Sequence, residues 1–407
     1  MTPTLSECLE RIEARPELNA IVLPRFEEAR REASDAVGPL AGVPFTCKDP
    51  FPVAGMRSPN GSRLLREYEP GYTCEPVRRL QAAGAILIGK TNVSEFSMHW
   101  DSTNPLFGST LNPWDGSRTA GGSSGGEACA VAAGLTGFGL GSDLGGSVRA
   151  PAHFCGVYGL RTGRGTMPGA AHHPLPASPG VRTFGTLGPL ARTLDDLELV
   201  LSVLAPDLPP PRSVETITVF EDDDLQPVAQ VCRDAVRAAA AAFDVVEARP
   251  PGQATARRLF DAILGEEIAG LPAFVGDRDA ELAPYNQGAV RYARSAVPSL
   301  ERYLAAFDEL AALEEEVGAW LREHPVMLCP VAPDVAPPVG LIDWPPVDGR
   351  EPNPGGKLSL CTYANALGLP ALAVPVSRTP DGLPVGVQLI GAPGSERTLI
   401  ALARRIA

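Results

Sequence analysis

The chain has 407 residues, is 44% hydrophobic and carries a net charge of −13. That is enough apolar material for a large core, and an acidic balance without a basic run argues against a nucleic-acid or anionic-membrane partner. Its eight cysteines are scattered without a Cys-x-x-Cys pair, so no zinc site or redox pair is signalled and reduced, buried thiols are expected. The first residues are polar and amphipathic, reading as neither signal peptide nor membrane span, which makes a cytoplasmic protein the expectation.

Leu5, Leu9 and Ile12 recur at helical spacing and predict an N-terminal helix. A second helix is expected between residues 25 and 37. Residues 42–47 read as a strand that delivers Lys48, and 50–74 as a polar loop. A helix over 76–83 leads into a buried strand over 85–89. Residues 104–119 are irregular, with Asn104-Pro105 and Asn112-Pro113-Trp114 as turn signals. A small-residue helix over 127–133, a strand over 136–141 and buried apolar chain over 151–159 follow. Residues 162–185 are rich in Gly, Pro and His and read as a loop over a site. Thr193-Leu-Asp-Asp196 starts a helix that runs to Ala205. Residues 206–211 read as a linker. Beyond it, strands over 216–220 and 244–248 flank an Ala-rich helix, and helices are expected over 259–270 and 299–322. Residues 330–354 are proline-rich and irregular. Strands over 369–375 and 384–390 precede a closing helix over 396–407. Strands alternating with helices predict an α/β fold, and no internal repeat is visible.

The chemistry concentrates in residues 121–151, GGSSGGEACAVAAGLTGFGLGSDLGGSVRAP. Two glycine-flanked serines, Ser123 (with its neighbour Ser124) and Ser147, bracket a segment of small residues. Glycine lets the backbone take shapes that side chains forbid and lets a ligand approach it closely. Gly145-Gly146-Ser147 leaves successive amides uncovered before Val148-Arg149-Ala150, which can open a helix. Such donors attract negative charge, and an acyl-transfer enzyme needs them for its oxyanion. A nucleophilic serine also needs a base. The five histidines, His99, His153, His172, His173 and His324, stand outside any Gly-x-Ser-x-Gly elbow. Lysine is the next candidate. Lys48 ends a short apolar run; burial there lowers an ammonium pKa from its usual ~10.4, and a neutral lysine is a general base. Lys90 also follows a strand and is the rival, although Lys90-Thr91-Asn92 fits loop bonding better. Asp143 and Arg149 read as groups that brace the loop, and His153 as structural.

The set Lys48-Asp49, Gly89-Lys-Thr-Asn92, Asn112-Pro-Trp114, Gly121-Gly-Ser-Ser-Gly-Gly126, Gly141-Ser-Asp-Leu-Gly-Gly-Ser-Val-Arg149 and Phe154-Cys-Gly156 resembles the amidase signature family. Gly368-Leu-Pro-Ala371 and Gly382-Leu-Pro-Val-Gly-Val-Gln-Leu-Ile390 extend the likeness to the C-terminus, leaving it weakest over about 207–325. Asn104-Pro-Leu-Phe-Gly108 and Glu127 bring it nearest to the branch that includes fatty acid amide hydrolase. The resemblance implies one amidase domain over 1–407, with a central mixed sheet between helices. Its signature core would span about 40–200, a pocket-shaping region about 207–355, and C-terminal strands and helix 357–407. It implies Ser147 as nucleophile, Ser123 as bridging serine after a cis Gly122–Ser123 peptide, and Lys48 as base. The amides of Leu144, Gly145, Gly146 and Ser147 would form the oxyanion hole. Ser97 and Trp100 fall near the pocket, and His172 and His173 on the loop over it. The implied activity is hydrolysis of a small carboxylic amide without cofactor or metal, with room for a homodimer. The alternative is the glutaminase subunit of a tRNA-dependent amidotransferase.

Overall fold

The computed structural model describes residues 3–167, 178–223, 225–353 and 358–406. Its strands, in chain order, are β1 (Ile21–Pro24), β2 (Pro44–Lys48), β3 (Ile86–Thr91), β4 (Thr103–Asn104), β5 (Gly108–Ser109), β6 (Phe138–Asp143), β7 (Tyr158–Arg161), β8 (Thr186–Ala191), β9 (Thr216–Val219), β10 (Asp244–Glu247), β11 (Val326–Pro330), β12 (Ala371–Arg378) and β13 (Pro384–Gly391). β4 and β5 pair with each other, and the other eleven form one sheet in the order β1-β3-β2-β6-β8-β7-β12-β13-β11-β9-β10. The sheet is mixed. β2 runs parallel to β3 and β6, and β9 parallel to β10 and β11. The remaining neighbours are antiparallel. The α/β expectation holds.

Helices cover the sheet. Gly125–Ala132 packs on β2, β6 and β8, Arg149–Cys155 on β7, β12 and β13, and Gln230–Ala240 on β11 and β13. With both faces covered, an inner strand loses the polar–apolar alternation of a half-exposed one. β2, Pro-Phe-Thr-Cys-Lys, is accordingly buried at all five residues. β10, on the far edge, is exposed at all four. A second apolar cluster joins the helices Gln253–Glu267, Leu300–Trp320 and Ser359–Ala366 through Leu259, Leu310, Leu313 and Tyr363.

Most expected elements form within a few residues of their expected ends. The N-terminal helix Leu5–Ala14 carries a full capping box on Thr4 and Glu7, and Thr193 caps the helix Leu194–Leu204. Several elements lie outside the sequence expectation. β8 reads Thr-Leu-Gly-Pro-Leu-Ala, and Gly188-Pro189 looks like turn chemistry. Yet every residue of β8 is buried, and its ladder to β7 stops at Leu190, one position short of the proline. β1, β11 and the helices Pro179–Phe184, Pro284–Ser295 and Ser359–Ala366 are likewise additional. The stretch expected as apolar chain is the helix Arg149–Cys155, ended by Gly156 at φ 70°, and then β7. The segment expected as a linker leads into β9, β10 and β11, which join the same sheet. His172 and His173 lie outside the described residues.

Candidate active site

Lys48 is the last residue of β2, and its side chain is buried. Its Nζ lies 2.7 Å from Ser123 Oγ and 2.9 Å from Ser142 Oγ on the adjoining strand β6. Ser123 Oγ in turn lies 3.1 Å from Ser147 Oγ. Three residues far apart in sequence thus form one chain, amine to hydroxyl to hydroxyl. Burial pushes the Lys48 ammonium down to about 7, against the opposing pull of the negative charges of Asp143 and Glu127.

The backbone explains why glycine surrounds these serines. The Gly122–Ser123 peptide is cis. A Cβ on Gly122 would stand 2.8 Å from the backbone of Trp100 and Asp101, so no larger residue fits. Gly146 has φ 103°, and a Cβ there would meet the Cys361 side chain at 2.8 Å. Ser124 follows Ser123 and opens the helix Gly125–Ala132. Its N–H donates to Ser147 O at 3.2 Å, fastening the two serine loops together.

The turn that carries Ser147 is built on Asp143. The Asp143 carboxylate accepts from the amides of Gly146 (2.8 Å) and Val148 (3.1 Å) and pairs with Arg149 at 2.9 Å. Burial alone would raise its pKa, but the charge and hydrogen bonds of Arg149, with help from Arg161 and Asn365, hold Asp143 well below the usual carboxylate range. Arg149 also donates to Gln388 Oε1, Cys361 O and Asn365 Oδ1, so its guanidinium is spent on the fold. Among the described residues the amides of Leu144, Gly145 and Ser147 have no acceptor, whereas the Gly146 amide is committed to Asp143.

Lys90 goes elsewhere. It pairs across the ladder with Cys47, so it points to the sheet face opposite Lys48. There its Nζ donates to Arg57 O and Ser58 Oγ, both at 2.8 Å, and lies 3.6 Å from Asp49 Oδ1. His153 is structural. Its Nδ1 accepts from Gly386 N–H at 2.8 Å, its Nε2 meets Asp334 O at 3.1 Å, and burial pushes it down to about 4.

Trp100 lies behind the cis turn. Its ring sits 5.1 Å from that of Trp344, and its Nε1 donates to Ile342 O at 3.3 Å. Ser97 is not drawn to the serines; its Oγ is engaged by Asn60 at 3.2 Å. The walls beside the Ser147 turn come from residues that no motif flags. A Cβ on Gly145 would stand 3.5 Å from Phe260 Cζ and 3.6 Å from Thr362 Cγ2. Only the apolar spacing of the helix around residue 260 hints at either. Among the described residues no cluster of His, Cys, Asp and Glu is placed to hold a metal, and no helix is long and apolar enough to cross a membrane.

A wide mixed sheet with glycine-rich serine turns is the architecture of a class of amide-bond enzymes. The sequence model of the Amidase family matches residues 4–264 and 283–400. The chain belongs to the amidase signature family, and the protein is an amidase. It is similar to the 6-aminohexanoate-cyclic-dimer hydrolase of Paenarthrobacter ureafaciens, at 31% identity over 100% of this chain and 90% of that protein. It is also similar to a glutamyl-tRNA(Gln) amidotransferase subunit of Moorella thermoacetica, at 32% identity over 93% of this chain and 85% of that protein. The structure of 6-aminohexanoate cyclic dimer hydrolase complexed with substrate matches with a TM-score of 0.87 and 28% identity, covering 100% of this chain and 92% of that one.

Proposed function

We propose that residues 1–407 form one amidase domain that hydrolyses a small carboxylic amide to the acid and ammonia or an amine, with Lys48, Ser123 and Ser147 as the catalytic residues. The supporting observation is the contact chain from Lys48 Nζ to Ser123 Oγ (2.7 Å) to Ser147 Oγ (3.1 Å). Neutral Lys48 takes the Ser123 proton as Ser123 takes that of Ser147. Ser147 Oγ attacks the carbonyl carbon, and the negative oxygen is received by the amides of Leu144, Gly145 and Ser147. Losing one such donor typically costs about 10²–10³ in rate. Lys48 returns the proton through Ser123 to the nitrogen as the C–N bond breaks, because an unprotonated amine leaves poorly. Water then attacks the acyl-enzyme, giving one proton to the same relay and releasing the acid and free Ser147. On the resemblance of residues 104–108 and Glu127, this reading expects an enzyme of the hydrolase branch that includes fatty acid amide hydrolase, acting in the cytoplasm on a small molecule.

The similarity to a tRNA-dependent amidotransferase favours one second reading, a glutaminase that works with a partner. Ammonia and amine release across aliphatic, aryl, cyclic-dimer and fatty amides and glutamine, run beside Ser147→Ala, separates the two. Release by the chain alone that vanishes in Ser147→Ala supports the hydrolase. Glutaminase activity seen only with a partner supports the other reading. Activity that survives in Ser147→Ala removes the proposed nucleophile.

A further inference from the structure

Glu127 lies in the first turn of the helix Gly125–Ala132, four positions after Ser123, and is fully buried. Among the described residues no basic side chain pairs with it. Two hydroxyls hold its carboxyl instead: Thr46 Oγ1 is 2.5 Å from Oε2, and Thr91 Oγ1 is 2.8 Å from Oε1. The carboxyl also covers Gly139 of β6, where a Cβ would collide with Oε2. One side chain therefore clips β2, β3 and β6 together.

The two threonines are the neighbours of Lys48. Thr46 precedes it by two residues on β2, and so shares its sheet face. Thr91 is its partner across the β2–β3 ladder. The carboxyl thus stands beside Lys48 on the same face without touching the amine, whose contacts are Ser123 and Ser142. Burying a carboxyl carries a cost that an apolar side chain in the same space would avoid.

We infer that Glu127 is a positioning residue for Lys48: it clamps the strand that delivers the amine and, through its own charge, sets the pH at which that amine becomes a base. The inference rests on Lys48 being the base of the reaction proposed above. Burial pushes Glu127 up to about 8, which overlaps the value of about 7 to which burial pushes Lys48. An ionised Glu127 favours the ammonium form of Lys48, and an ionised Lys48 favours the carboxylate, so the two groups titrate as a pair. The active form has a neutral Lys48, so an ionised Glu127 delays activation as pH rises. The other charges near the pair stay in place when Glu127 is changed. Asp143 approaches from β6 and is committed to Arg149, and Asp49 and Lys90 lie on the opposite sheet face with the Cys47 and Cys74 thiols.

Glu127→Gln keeps the size and the hydrogen-bonding capacity while removing the charge. Its acidic limb of kcat/KM is expected to move to lower pH by about half a unit or more, and to narrow from a broad two-group limb to a single ionisation, with the plateau rate within severalfold. Thr91→Val removes a donor that favours the carboxylate. It moves the limb in the same direction by less, and gives no further movement in the Glu127→Gln background. A limb that stays in place in both single variants overturns the inference, as does an additive shift in the double variant. Should Glu127→Gln fail to fold, Thr91→Val decides by the same reading. Lys48→Ala separates this from the parent proposal. Near-normal activity there removes Lys48 as base, whereas an inactive Lys48→Ala beside an unmoved limb removes only the role of Glu127.

Discussion

Two buried lysines stand on neighbouring strands of this sheet, back to back. Lys48 ends β2 and is 1% exposed; Lys90 lies in β3 and is 0% exposed. Burial pushes both ammonium groups down. What separates them is the company on each face. Lys90 meets a carboxylate, Asp49, together with a carbonyl and a hydroxyl, and the Asp49 charge opposes the effect of burial. Lys48 meets two neutral hydroxyls, one of which touches a third. The adjacent carboxylate opposes the loss of charge that burial favours at Lys90, whereas the direct contacts of Lys48 are hydroxyls. Burial alone makes neither a base nor a brace.

The sharpest way to break that comparison is at its reactive end. Ser147→Ala is expected to lower kcat by a factor on the order of 10⁶ with the melting transition unchanged, as removal of a nucleophile does in serine hydrolases. Ammonia release by a folded Ser147→Ala protein at near-normal rate would end the triad reading. Next come the lysines themselves. Lys48→Ala should cost roughly 10²–10⁴ in kcat/KM, the usual worth of a general base. Lys90→Ala should keep the rate per folded molecule and instead cost about 3–5 kcal/mol in urea unfolding, because Asp49 is left buried and unpaired. Reversed results would exchange the two roles.

The pH profile tests the same division with a smaller effect. Only neutral Lys48 accepts a proton, so kcat/KM should fall as pH drops through about 7. The residual activity of Lys48→Ala should lack that limb, and Lys90→Ala should retain it. A wild-type limb set near the ordinary carboxylate range would point to a different group.

Much of this is legible in the sequence because the chemistry is written locally. Glycines on both sides of Ser123 and Ser147 mark tight, uncovered turns, and an apolar run ending in Lys48 marks a buried amine. The fold class follows from alternating elements. What stays hidden depends on partners distant in the chain. Lys90 rivals Lys48 on sequence alone because sheet register puts it on the other face. β8 escapes notice because Gly188-Pro189 has the composition of a turn, and only burial between β6 and β7 makes it a strand. Phe260 and Thr362 face Gly145 from helices more than a hundred residues downstream, where no motif marks them.

The finest test uses the two serines that support the lysines. Ser142 Oγ accepts from Lys48 Nζ at 2.9 Å, and Ser58 Oγ accepts from Lys90 Nζ at 2.8 Å while donating to Asp49 O at 2.7 Å. An acceptor on an ammonium favours its charged form. Ser142→Ala should therefore let Lys48 lose its proton more readily and move the acidic limb of kcat/KM to lower pH by a few tenths of a unit. Ser58→Ala removes the same kind of acceptor from Lys90, which lies on the sheet face opposite Lys48. It should leave the limb where it is and cost about 1–3 kcal/mol in unfolding, the usual penalty for a buried polar group left without its partner. Equal limb movement in both variants would mean that the carboxylate does not divide the two lysines, since each serine would then be acting through general polarity of the sheet interior. Movement confined to Ser142→Ala would locate the division in the two or three atoms around each amine.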